Sequence, residues 1–153
     1  MTAMAGFPDP ATDPQFYDGV RLRRLAAFAV DLLAILILLG GVAVIGVLIG
    51  LLTLGVGFLF LVPAFALTGI VYRATMLMDR SATLGMALMG IEVRDRDGEP
   101  LDSATAVIHT VAFTAMSLLI PVLIASVIYA CLNARGQTLH DALVQTVVIN
   151  RPL

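Results

Sequence analysis

Residues 32–72 contain no Asp, Glu, Lys or Arg. This run of 41 residues is about twice the roughly 20 apolar residues that one membrane-crossing helix needs. A single helix of that length would strain any bilayer. The middle of the run is rich in glycine, with Gly40, Gly41, Gly46, Gly50, Gly55 and Gly57, and carries Thr53. A tight connection over residues 50–56 therefore predicts two helices, at 22–49 and 56–78. Gly46 and Gly50 form a GxxxG pair, which lets helix backbones approach closely. Glycine is also simply common in membrane helices, and the pair reads that way here.

The rest of the composition agrees with a membrane class. Hydrophobic residues make up 59%, charged residues 13%, and the net charge is −2, against about 25% charged residues in soluble domains. The nine basic residues are all Arg and form no basic patch, so nucleic acid is not an expected partner. The single Cys131 excludes a disulfide framework or a Cys-based metal cluster.

Residues 1–20 hold Pro8, Pro10 and Pro14 with several acids. They predict a polar tail that is disordered or lies as a surface strap. The membrane domain spans 21–150. Residues 79–102 carry six acids and three Arg. Within them, 83–90 predict a short interfacial amphipathic helix, and Ile91–Arg94 alternates like a strand. Asp97-Gly98 is a turn signal, and the nearby Asp95-x-Asp97-Gly98 lacks the spacing of a calcium loop.

Residues 103–134 again lack charged residues apart from His109. The simplest expectation is one long third helix, 104–132, kinked at Pro121; the rival is a re-entrant pair of short helices. The run 146–149 reads as a second strand that would pair with the first. The fold class is thus all-α and membrane-embedded, with about three transmembrane helices and a short strand pair in the polar loop and tail.

Arg21, Arg23 and Arg24 precede the first helix, and Arg73, Arg80, Arg94 and Arg96 lie at or beyond the end of the second. The positive-inside rule then places the N-terminus and the 79–102 loop on the cytoplasmic side of the plasma membrane. The side of the C-terminal tail stays open.

Asp31 is the most informative residue. It follows Arg24 by seven positions, on the same helical face. An ionised Asp at a helix centre costs about 2.5–3.5 kcal/mol on insertion scales, so it should not face lipid. It reads either as a proton or cation site, with Arg24 tuning it, or as a polar staple to Arg73, Thr68 or His109.

The stretch from Arg24 to Asp31 resembles the R-x-x-A-x-x-x-D signature that opens the RDD family of small membrane proteins. The middle, with Thr83, Gly85, Gly90, Val93 and Asp97-Gly98, is similar to that family's second motif. The end, Leu139-His140-Asp141 through Thr146-Val147-Val148, is similar to its L-H-D-x-x-x-x-T-V-V terminus. Together the motifs cover residues 17–150. The resemblance implies that Arg24, Asp31 and Asp141 are the named charged residues. Two positions depart from the pattern: Met86 replaces a frequent Lys, and His109 stands near a frequent Arg. Some family members resemble cation/proton antiporters, while others accompany domains with no assigned activity.

Two functions are therefore expected: cation/proton transport through Asp31, or a non-transporting module that assembles with partner proteins. The partners are the lipid bilayer and a second copy of the chain or another membrane protein. No enzyme, cofactor or metal is expected, because one His140-Asp141 pair cannot supply the three or more ligands of a metal site.

Overall fold

The computed structural model describes residues 6–151. The expected tail begins at residue 1, and its first five residues lie outside the described ones. The order of elements is α1 (Val20–Leu52), α2 (Leu61–Arg80), α3 (Leu84–Leu88), β1 (Ile91–Arg94), α4 (Ser103–Ser117), α5 (Ile120–Leu132), α6 (Leu139–Val144) and β2 (Val147–Asn150). Two helical spans, α1 and α2 with the 3-10 turn before it, are long and apolar enough to cross a membrane.

α1 and α2 form the expected hairpin, joined by Thr53–Gly55 and a 3-10 turn at Val56–Phe60. Thr53 closes the corner. Its hydroxyl donates to the Ile49 carbonyl at 2.7 Å and accepts from the Gly57 N–H at 2.7 Å. The GxxxG pair works within the chain. A Cβ on Gly46 would lie 2.2 Å from Leu61, and one on Gly50 would lie 2.4 Å from the Phe58 ring. Both glycines therefore let the returning limb close against α1.

α1 contains 33 residues, about 50 Å at 1.5 Å per residue. Its uncharged part, residues 32–52, is about 31 Å long, close to the roughly 30 Å hydrocarbon thickness of a bilayer. Asp31 therefore marks the border between a polar end and an apolar shaft.

Residues 103–134 do not form one helix kinked at Pro121. α4 and α5 are separate and meet at 116°. The break falls at Leu118 and Leu119, where Leu119 is extended and Pro121 sits in the first turn of α5. Proline is favoured there, because its missing N–H has no helical partner in any case. At 15 and 13 residues each helix is about 20 Å long, too short to cross alone. Together they form a bent pair, as either a broken span or a re-entrant loop would.

β1 and β2 pair antiparallel, with Ile91 opposite Asn150 and Arg94 opposite Val147. The second strand begins one residue later than expected. This pairing brings the C-terminal tail to the same end of the molecule as the 79–102 loop. Within residues 6–19 the backbone carbonyls of the N-terminal segment take side-chain donors. Tyr17 Oη donates to the Pro8 carbonyl at 2.7 Å, and Asn150 Nδ2 donates to the Gln15 and Asp18 carbonyls.

The buried apolar core lies wholly at this polar end. Val20, Ala27, Leu77, Ala82, Met86, Ile91, Val93, Leu101, Ala106 and Val148 form one cluster. We call this end the collar. The Asp95 turn closes locally, with Asp95 Oδ1 accepting from the N–H groups of Asp97 and Glu99, as a plain turn should.

Candidate functional site: two carboxylate nodes on the first helix

The first node is built on Asp31, whose residue is 2% exposed. It accepts from Thr83 Oγ1 at 2.6 Å, Tyr72 Oη at 2.8 Å and the Gly85 N–H at 2.8 Å. The reason lies in α3. The first N–H groups of any helix have no internal acceptor. In α3 the Leu84 N–H goes to Tyr72 Oη, the Gly85 N–H to Asp31 and the Met86 N–H to Thr83 Oγ1. Asp31 thus caps α3 from a neighbouring helix. Gly85 permits the approach, because a Cβ there would lie 2.1 Å from the Ala27 carbonyl oxygen.

The expected staples to Asp31 are therefore replaced. Thr68 bonds its own helix at Ala64, His109 turns to Asp141, and no Asp31–Arg73 ion pair forms among the described residues. Tyr72, Thr83 and Gly85 take their places. The Thr83 cap is the part a sequence can signal, as a threonine just before an apolar run.

The second node is built on Asp141, which is fully buried. Arg24 donates to its Oδ2 at 2.6 Å, Thr138 N–H and Oγ1 at 3.0 and 2.7 Å, and His109 Nε2 lies 3.0 Å from Oδ1. Burial alone would raise the Asp141 carboxyl. The Arg24 charge and the His109 hydrogen bond outweigh it and hold the group well below its usual range. Asp141 lies in the first turn of α6, where it accepts from the N-cap backbone N–H as in a capping box. The sequence reading missed α6; the spacing of Thr138 and Asp141 was the available signal.

Arg24 and Asp31 share a face of α1 but belong to different nodes. Arg24 also donates to the Gly136 carbonyl at 3.1 Å. Its neighbours act likewise: Arg21 donates to the Asn133 carbonyl at 2.7 Å and Arg23 to the Met89 carbonyl at 3.3 Å. Asn133 and Met89 are the C-caps of α5 and α3, where orphan carbonyls and the helix dipole favour a cation. One arginine-rich turn thus ties three separate segments to α1.

His109 adds a third potential ligand to the His140-Asp141 pair. The ligand atoms of His109, His140 and Asp141 lie within 4.8 Å of one another. The surroundings fit a metal poorly. Arg24 already neutralises Asp141, and His109 Nδ1 is buried without a partner, whereas metal-bound imidazoles donate that second N–H to an outer acceptor. Burial pushes the neighbouring His140 down to about 3, against the pull of Asp141. At neutral pH this ring is uncharged. At the departure position His109, the imidazole supplies a hydrogen bond to the same carboxylate. Met86 is buried in the collar core.

A cavity of about 290 Å³ opens between α1, α2 and α4, with Asp31 and Arg73 in its lining. No curated protein and no solved structure matches the chain. The RDD family model matches residues 19–145, a span that contains both nodes, and the chain belongs to the RDD family.

Proposed function

We propose that the chain is a non-transporting membrane module, in which Arg24, Asp31 and Asp141 fasten a folded collar to a membrane hairpin that assembles with or stabilises partner proteins. One observation carries this reading: all three charged groups are consumed within the chain. The Asp31 oxygens hold three donors, and Asp141 holds Arg24, Thr138 and His109. An ion-exchange site needs ligand atoms that can trade partners, and here Thr83, the Gly85 N–H and Thr138 are committed to the N-termini of α3 and α6.

The other features of the reading follow. The protein sits in the plasma membrane, with N-terminus and collar on the cytoplasmic side, because the arginines cluster at that end. Its partners are the lipid bilayer and a second copy or another membrane protein. It is not an enzyme, needs no cofactor and does not bind nucleic acid.

A second reading has its own support. Asp31 lines the 290 Å³ cavity, which gives its carboxylate a route for a proton or cation. Liposome flux separates the two. The module reading expects no flux in wild type at any pH gradient, normal yield for Asp31→Asn, and low yield for Asp31→Leu. Wild-type flux that Asp31→Asn abolishes at normal yield would establish transport instead.

A further inference from the structure

Arg73 is a buried charge that neither node uses. It is 7% exposed and, among the described residues, makes no hydrogen bond or ion pair. Its guanidinium carbon lies 3.7 Å over the Phe113 ring centroid. Stacking engages the face of the guanidinium. Its five N–H donors lie in the plane and point outward from the edge. A buried donor without an acceptor is costly, and more so when it is charged. The unfilled demand here is for an anion with two or more acceptor oxygens.

The cavity beneath Arg73 has the shape of a specific ligand class. Arg73 lies seven residues inside Arg80, the last residue of α2, about 10 Å below the collar end of the helix. Eight residues deeper, Phe65 lines the other end of the cavity, about 12 Å away. The walls between are apolar: Leu32, Ile35, Ile70 and Leu118. Thr114 and Ser117 also line it, but their hydroxyls donate to their own helix at Thr110 and Phe113. Asp31 shares the upper wall, yet its oxygens are held by the three donors of its node. The cavity is charged at the level of a lipid headgroup and apolar toward the bilayer interior. Leu32 and Leu118 are 49% and 77% exposed, so it opens sideways to lipid.

We propose that this cavity is a binding site for one anionic lipid, whose headgroup phosphate takes the edge of Arg73 and whose acyl chain descends along Leu32, Ile35 and Phe65. The volume is near the small end of ligand pockets, roughly 300–1,000 Å³. It therefore holds the headgroup junction and upper chain, and leaves the rest in the bilayer.

The test uses the full-length purified chain in uncharged detergent, read by native mass spectrometry and thermal shift. The probes are dioleoylphosphatidylglycerol, dioleoylphosphatidylcholine and inorganic phosphate. One phosphatidylglycerol should bind per chain, with affinity about tenfold or more above phosphatidylcholine, as expected for a charge-assisted pair. Inorganic phosphate should neither bind nor compete. Arg73→Gln should remove the preference, while Arg80→Gln should keep it. Gly69→Leu is the second variant. A Cβ at Gly69 meets only Ile35, at 4.0 Å, so the leucine fills the cavity and should abolish binding without touching Arg73. Equal binding of the two lipids by wild type would overturn the proposal without any variant. So would phosphate binding with the same Arg73 dependence, a preference retained in Arg73→Gln, lipid binding retained in Gly69→Leu, or a lipid-free dimer that Gly69→Leu dissociates.

Discussion

Over residues 20–31, α1 packs on α3 and the two-stranded sheet and reaches α6 through Arg24, and both buried carboxylates there have bonded partners. Over residues 32–52 the same helix is almost bare: its most apolar stretch has no buried residue, and Leu36, Ile37, Val44, Ile45 and Leu48 are all exposed. The collar has a packed core and directional bonds. The shaft has an apolar surface and a glycine-lined return limb. In water the shaft would be untenable, since exposed apolar patches of this kind mark an interaction surface; in lipid it needs only to be apolar and helical. Specific sequence is therefore demanded in the collar and only composition in the shaft. The family's charged residues fall where the demand is specific.

The sharpest way to break this contrast is at Arg24. Arg24→Ala leaves the Asp141 carboxylate fully buried without its cation, a loss of about 3–5 kcal/mol for a broken buried pair. Thermal unfolding in detergent should show the drop. A double-mutant cycle with Asp141→Asn should recover part of it, because the double variant no longer buries an unpaired charge. Simple additivity of the two losses would detach the pair from collar stability.

A smaller loss is expected at Gly85. An alanine Cβ would lie 2.1 Å from the Ala27 carbonyl oxygen, so α3 must move off α1 and loosen its bond to Asp31. Overpacking of this kind costs about 1–3 kcal/mol. Hydrogen exchange should rise at the amides of α3 and β1 and stay unchanged in residues 36–48. Unchanged exchange in α3 would remove the close approach from the account.

The same contrast explains what the sequence could tell. The shaft was legible from one uncharged run, because a bilayer demands only length and apolarity. The turn at Thr53–Gly55 and the strands were legible from local signals: glycine, alternation and a β-branched run. The collar's connections were not. Asp31 finds Tyr72 41 residues away and Gly85 54 residues away, and the latter partner is a backbone N–H that no side-chain pattern announces. The break between α4 and α5 was hidden for another reason. Leu118 and Leu119 are neither turn residues nor polar, and Pro121 is equally at home in a kink or a first helical turn.

Acid should weaken the collar through His140 before any carboxylate is protonated. Its folded value is about 3, below the ordinary 6.5, so the unfolded chain takes up a proton first. The stability contributed is full above pH 6.5 and is lost progressively as pH falls toward 3. The loss is about 1 kcal/mol between pH 6.5 and 5.5. Asp141, held below its ordinary value, adds a further loss only below about pH 4. His140→Gln should flatten the melting temperature between pH 6.5 and 5 while leaving the steeper fall below 4. An unchanged slope in that variant would assign the titration elsewhere.

The smallest effect should come from the shaft. Exchanging Leu36, Ile37, Val44, Ile45 and Leu48 among Leu, Ile and Val keeps helix and hydropathy and removes no bonded partner. If these side chains face lipid, each exchange should change collar melting by less than about 0.5 kcal/mol, as for surface positions without special contacts. The effects should also add, because no two of them share a buried partner. If the same face instead packs on a second copy, exchange alters interdigitation, and losses should be larger, non-additive and dependent on protein-to-detergent ratio. Melting measured across that ratio decides between the two. A ratio-dependent loss confined to one stripe of α1 would convert the bare shaft into an interface between copies, and the contrast between collar and shaft would then be one between two packed surfaces.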